Sequence, residues 1–218
     1  MNAYAVTLPR VLVVPILVVA SLATACLEPA SAAGPVHIPS LDPGVPSDRT
    51  LATRELPAVP PDLANALASP EVTSALGGPA DAARARAAEL GERHLLAAWA
   101  PSVSDPRAGV AVATNARGEL YLATVRESRP GVVLLGSGGA VFELRIGPGG
   151  DGFELQRMSD AMRSGATSLD WACFSSCFVQ HVPACTMPCL ECANSGFTQC
   201  TSCLSCIGLW AVFCASGC

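Results

Sequence analysis

The sequence predicts a chain in two dissimilar parts: an α+β region, made of one helix plus a small antiparallel meander, followed by a small disulfide-rich, mainly helical C-terminal peptide. Three observations carry this reading. Cysteine is absent between Cys26 and Cys173, and ten cysteines then fall within the 46 residues ending at Cys218. Five short runs of β-type residues lie between 110 and 156, separated by turn residues. The stretch 81–98 has the Ala, Leu, Glu and Arg content of a helix. Half of the 218 residues are apolar but only 5% are aromatic, so large core residues are scarce, and the uneven composition favours separate pieces over one ordinary domain.

At the N-terminus, Arg10 is the only charged side chain ahead of a run of apolar or small residues over 11–25, the length of a signal-peptide hydrophobic region and short for a membrane span. Ala30-x-Ala32 offers the small side chains a signal peptidase accepts. Residues 1–32 are therefore expected to be a signal peptide cut after Ala32, and the product secreted to the extracellular space; the competing reading makes Cys26 the lipidated residue of a lipoprotein. No paired Arg marks the twin-arginine route. Residues 33–80 are dense in Pro and read as a linker with at most short helices. Among these, Ser69 before Pro70 has the form of an N-cap followed by Pro at the first helical position.

The expected helix over 81–98 places Leu90, Leu95 and Leu96 on a face with Trp99, and Pro101 stops it. The expected strands are 110–114, 119–125, 132–135, 141–146 and 153–156, with hairpin turns at Asn115-Ala116-Arg117-Gly118 and within 147–152. No catalytic site emerges. His94 has no Cys or His at ligand spacing and reads as a plain helix residue. Glu119, Glu127, Glu143 and Glu154 lie near Arg126, Arg145 and Arg157 in the manner of solvated strand faces. Gly136-Ser137-Gly138-Gly139 lacks the Lys-Ser or Lys-Thr of a phosphate loop and reads as a turn. The chain is expected not to be an enzyme and to need no cofactor and no metal. Its net charge of −5, with all 13 basic residues Arg, supplies no basic footprint for nucleic acid.

The cysteine segment runs C-x3-C-x7-C-x3-C-x2-C-x7-C-x2-C-x2-C-x7-C-x3-C, through Cys173, Cys177, Cys185, Cys189, Cys192, Cys200, Cys203, Cys206, Cys214 and Cys218. With Cys26 removed or lipidated the exported set is even, as a complete disulfide framework requires. The pattern reads as three offset repeats of about fifteen residues, or as clusters of two, three, three and two at helical spacing. Short antiparallel helical segments, each stapled to the next, would pair Cys173 with Cys189, Cys177 with Cys185, Cys192 with Cys200, Cys203 with Cys218 and Cys206 with Cys214. Ten cysteines allow about 945 pairings, so this is one hypothesis among many. Pro188 would interrupt the second segment unless it falls in a first turn. A segment this small needs its staples, each contributing roughly 3 kcal/mol. Its apolar residues, among them Trp171, Phe174, Phe178, Leu209, Trp210 and Phe213, exceed what cross-linking requires. They are read either as a surface for a membrane or other target, or as the peptide's own small core. From Trp171 onward the only charged side chain is Glu191, so attraction to anionic lipid is not the targeting force.

A ten-cysteine C-terminus opening with C-x3-C-x7-C-x3-C, behind a secretion signal and a long upstream region, resembles the precursors of halocin-type bacteriocins, and the stretch 210–214 resembles fulvocin-type peptides. The resemblance covers about a quarter of the chain. It departs from the halocin class in shorter later gaps and in lacking twin-arginine export. It implies that 81–163 is an α+β pro-region, acting as immunity factor or chaperone in contact with the mature peptide, and that 164–218 is released by proteolysis. Arg163 is the expected processing residue, with Asp170 second. The implied partners are a processing protease and a target-cell membrane or envelope receptor, with no nucleic acid. A secreted cysteine-rich binding module, such as an inhibitor or signalling ligand, is the alternative. The C-x2-C spacings leave a zinc or iron–sulfur protein and a thiol oxidoreductase as further, weaker readings.

Overall fold

The computed structural model describes residues 35–39, 53–91, 93–115, 117–147, 152–160, 169–194 and 200–218. The expected signal peptide with Ala30 and Ala32, the lipidation candidate Cys26 and the processing residue Arg163 lie outside the described residues. Nine strands form one antiparallel sheet: β1 (Val36–Pro39), β2 (Thr53–Glu55), β3 (Arg86–Leu90), β4 (Leu95–Pro101), β5 (Ala108–Thr114), β6 (Leu120–Arg129), β7 (Val132–Ser137), β8 (Ala140–Ile146) and β9 (Gly152–Asp160). From β2 to β9 every strand pairs with its neighbour in sequence, and β1 takes the far edge beside β9.

The expected meander corresponds to β5–β9. Its turns follow from local chemistry. Asn115 Oδ1 accepts from the N–H groups of Arg117 and Glu119 at 2.9 and 3.0 Å, and Gly118 takes φ 76°. Gly138 and Gly139, at φ 55° and 79°, supply the two left-handed positions of a tight β7–β8 hairpin.

The expected helix over 81–98 is not formed. A 3₁₀ turn (Ala82–Arg84) leads instead into the β3–β4 hairpin, so Leu90 and Leu95 pair across it while Leu96 points to the other face. Gly91 and His94, at φ 59° and 51°, reverse the chain, and the His94 ring is tied to the Glu89 carboxylate. The alanines belong to strands buried on both sides. Ala97, Trp99, Ala111 and Ala113 enter one core, and Ala98, Ala100, Val110 and Val112 enter the other. Small side chains at these positions let helices approach the sheet from both faces, and that packing outweighs the modest helix preference of Ala.

The Pro-rich stretch contributes more than a linker. It holds the edge strands β1 and β2 and two seven-residue helices, α1 (Pro61–Leu67) and α2 (Pro70–Leu76), whose Leu63, Leu67, Val72 and Leu76 cover the second face. Ser69 caps α2 as expected, its hydroxyl accepting from the Val72 N–H at 3.3 Å, and left-handed Gly77 ends it.

The opposite face is covered by the C-terminal helices: α3 (Trp171–His181), a 3₁₀ segment (Val182–Cys185), α4 (Thr186–Asn194) and α5 (Thr201–Ala215). Helix α5 runs over β4, β5, β6 and β7, with α3 and α4 packed on it. It is apolar around most of its circumference, the pattern of a helix enclosed on all sides. Residues 33–218 form one unit, so the regions expected as 81–163 and 164–218 share a core.

Candidate functional site

The ten cysteines form five disulfides: Cys173–Cys218, Cys177–Cys214, Cys185–Cys206, Cys189–Cys203 and Cys192–Cys200. Of the expected local pairs only Cys192–Cys200 is present. The arrangement is one hairpin, with α3 and α4 as the descending arm and α5 as the returning one, rather than a row of segments each stapled to the next. The signal for it lies in the spacing. Successive steps read 4, 8, 4, 3 from Cys173 inward to Cys192 and 4, 8, 3, 3 from Cys218 inward to Cys200. This near mirror image puts the same-rank cysteines of two antiparallel arms opposite each other. Pro188 is tolerated because it is the third residue of α4, where a missing N–H loses no helical bond.

Each arm has a second stripe. On α3 the cysteines at 173 and 177 turn to α5, while Phe174 and Phe178, one residue on, are fully buried. Asp170 starts the helix by accepting from the Ala172 and Cys173 N–H groups at 2.9 and 3.1 Å. Phe142 of β8 stacks on both Trp171 and Phe174, with ring centroids 5.2 and 4.9 Å apart, and Phe174 stacks on Phe178. On α5, Trp210 and Phe213 are buried, the former stacked on His181 at 4.3 Å. Trp171 and Leu209 are partly buried against the same core. The six residues expected to face a target therefore pack within this chain, and three residues that cover the hairpin were not foreseen in that role: Phe142 and Trp99 of the sheet and Arg93 of the β3–β4 turn.

Trp99 is the closest point of contact between sheet and helix. A Cβ on Gly208 of α5 would lie 2.8 Å from its indole, and a Cβ on Gly109 of β5 would lie 2.2 Å from the same ring. The indole is thus held between two glycines, and the one glycine within α5 marks the place where the helix must come nearest the sheet. Its Nε1 is buried and makes no hydrogen bond among the described residues. Arg93, in the β3–β4 turn, lays its guanidinium 4.9 Å from the Phe213 ring and occupies the space a Cβ on Gly217 would need, so it covers the C-terminal end of α5.

Glu89 is held below the ordinary carboxylate range chiefly by its hydrogen bond with His94, which outweighs the opposing effect of burial, and Arg54 at 2.6 Å adds to the lowering. Glu143 pairs with Arg145 at 2.6 Å, and Glu119 accepts from Asn115 and Tyr121. At Glu127 burial pushes the carboxyl up, the Arg107 charge and the Gly131 N–H only partly offset this, and one oxygen has no hydrogen bond among the described residues. With all ten C-terminal thiols in disulfides, none is left as a thiolate for metal binding or exchange. Among the described residues no helix is long and apolar enough to cross a membrane. No family model, no curated protein and no solved structure matches the chain.

Proposed function

We propose that this chain is the precursor of a secreted bacteriocin. In this reading residues 1–32 direct export, a protease cuts at Arg163, and the disulfide-stapled peptide 164–218 kills related microbes at the membrane or an envelope receptor. The observation that carries the reading is the distribution of covalent bonds against that of apolar contacts. All five disulfides lie inside 173–218 and none joins that segment to the sheet. One backbone cut between β9 and α3 therefore separates the two covalently. Meanwhile Trp171, Phe174, Trp210 and Phe213, the side chains suited to an apolar target, are held against the sheet or within its core in the uncut chain. A covered face before the cut and a staple-hardened peptide after it are what a silent precursor needs. The upstream region then acts as the cover, in line with the immunity or chaperone role that the halocin resemblance implies.

The test is intact-mass analysis of culture supernatant from the producing cells, paired with a killing assay on related strains. The expected product begins at residue 164, is ten hydrogens lighter than its sequence mass, and kills. Arg163→Gln shifts or abolishes that product. Recovery of only the uncut chain, or of a released peptide that kills nothing, refutes the proposal.

A second reading, a secreted cysteine-rich binding module that works uncut, is favoured by one observation: α5 supplies the middle of the sheet's own core. It is distinguished by the same mass spectrum, which would then show an undivided chain starting at residue 33.

A further inference from the structure

The five disulfides fall into two groups that differ in what brings their partners together. The inner three, Cys192–Cys200, Cys189–Cys203 and Cys185–Cys206, have sequence separations of 8, 14 and 21 and tie α4 and the preceding 3₁₀ segment to the first half of α5. Once the first closes, each of the next two bridges only a few more residues on either arm, so this half of the hairpin can zip up by itself. The outer two, Cys177–Cys214 and Cys173–Cys218, have separations of 37 and 45. Cys177 lies only eight residues from Cys185, and Cys214 only eight from Cys206. In a chain with no fixed arrangement, closing the 37-residue loop is roughly tenfold less probable than closing an eight-residue one. Even with the inner bonds made, eight-residue steps separate the remaining four cysteines from the stapled half, and those four can still pair in three ways.

The sheet grips the hairpin beside these four cysteines. Phe142 stacks on Trp171 and Phe174, which lie on the α3 turn carrying Cys173. Arg93 covers Phe213 and Gly217, on either side of Cys214 and next to Cys218, while Trp99 fits against Gly208, two residues past Cys206, and seats the start of the half of α5 that carries Cys214. We infer that the sheet is an intramolecular folding template for the two outer disulfides: it lays α3 antiparallel to the second half of α5, so that Cys177 meets Cys214 and Cys173 meets Cys218. No cysteine lies between Val36 and Asp160, so the sheet acts by position and takes no part in the exchange. Each bond forms as two thiols lose two protons and two electrons to a disulfide oxidant, whose S–S bond breaks to give two thiols; five such transfers complete the set. The inference gives the upstream region of the bacteriocin reading a specific folding task, yet it rests on the disulfide geometry and not on killing. A disulfide map reports on it and a killing assay does not, so either can fail alone.

The experiment uses the chain 33–218, reduced and denatured, then diluted into a buffer of reduced and oxidised glutathione, with all pairs mapped by peptide mass spectrometry. The wild type is expected to give the five nested pairs. Phe142→Ala leaves the sequence of the hairpin untouched. It is expected to form the inner three pairs at wild-type yield while the outer two fall several-fold in favour of Cys173–Cys177, Cys214–Cys218 or crossed bonds, and Phe142→Leu is expected to recover them. Outer pairs at wild-type yield in Phe142→Ala, whether or not that variant folds, overturn the inference. So does equal loss of inner and outer pairs. A second measurement follows the wild type alone, alkylating free thiols at intervals and recording amide protection in β6–β8. Outer pairs complete before those amides are protected also overturn it.

Discussion

Gly208→Ala sets two known effects against each other at one atom. In the interior of a helix such as α5, replacing Gly by Ala ordinarily stabilises by about 1 kcal/mol, because Gly gives up more backbone freedom on folding. Here the added methyl would sit 2.8 and 2.9 Å from the Trp99 ring and 3.2 Å from Val125. The indole cannot retreat, since Gly109 already lies against its far edge with no room for a Cβ. Overpacking of this kind costs about 1–3 kcal/mol. The net expectation is a loss of about 1 kcal/mol, or a fall in Tm of roughly 2–4 °C for a unit of this size. Gly208→Val, larger and without the full helix gain, is expected to lose about 3 kcal/mol. Scanning calorimetry of the oxidised chain 33–218 measures both. A Trp99→Leu background makes the reasoning specific: with the ring gone, Gly208→Ala should turn neutral or stabilising, giving a coupling between the two sites. A Gly208→Ala chain that melts above the wild type, or an unchanged effect in the Trp99→Leu background, refutes the close approach of α5 to β4.

Two further perturbations test the sheet and the helices on its other face. Burial raises the Glu127 pKa above its unfolded value, so the fold disfavours the carboxylate. The resulting penalty is absent below the unfolded value, grows as pH rises through the raised folded value, and is complete above it. Glu127→Gln should therefore raise Tm near neutral pH and lose that advantage toward about pH 4, the ordinary carboxylate range; parallel melting curves across this window would contradict the assignment. Ser69→Ala removes the hydroxyl that accepts from the Val72 N–H and should cost about 1 kcal/mol, with Ser69→Gly costing less. Hydrogen exchange should place the loss in the first turn of α2, and an effect spread evenly over the sheet would speak against a capping role.

How much of this was legible in the sequence differs from element to element for physical reasons. Strands β5–β9 announced themselves because their β-branched runs are cut by Asn and Gly turns whose geometry is local. The β3–β4 hairpin did not. Its alanines are small because two helical layers press on β4 and β5 from opposite sides, and no window of sequence contains those layers. Strands β1 and β2, of four and three residues, are edge strands defined by their partners β9 and β3 more than by their own composition. The cap at Ser69 was readable because it lies within four consecutive residues, Ser69 to Val72. Disulfide bonding followed from the number of cysteines alone. The pairing was misread because each cluster was stapled to the next along a row of short segments, whereas one long helical hairpin relates its two arms by reflection in the order of residues. The surplus of aromatic side chains in the hairpin was visible; that Phe142, 29 residues before Trp171, stacks upon them was not.

That shared core also constrains how a peptide could leave. Within the bacteriocin reading, cutting the backbone removes the tether but none of the contacts at Trp99, Phe142 or Arg93, so the cut does not by itself dislodge the peptide. Cutting does change the order of the reaction. Association becomes bimolecular, the effective concentration supplied by a short connection, of the order of millimolar, is lost, and dilution outside the cell then favours separation. The two products are also unequal. The hairpin keeps five covalent cross-links that limit its unfolded states, whereas the sheet keeps none and would expose Trp99, Phe142, Leu144 and Leu155 where the helices had been. Loss of the hairpin therefore destabilises the sheet far more than loss of the sheet destabilises the hairpin. An asymmetry of that sign makes release effectively one-way: a cover that unfolds or is digested once empty cannot recapture what it held.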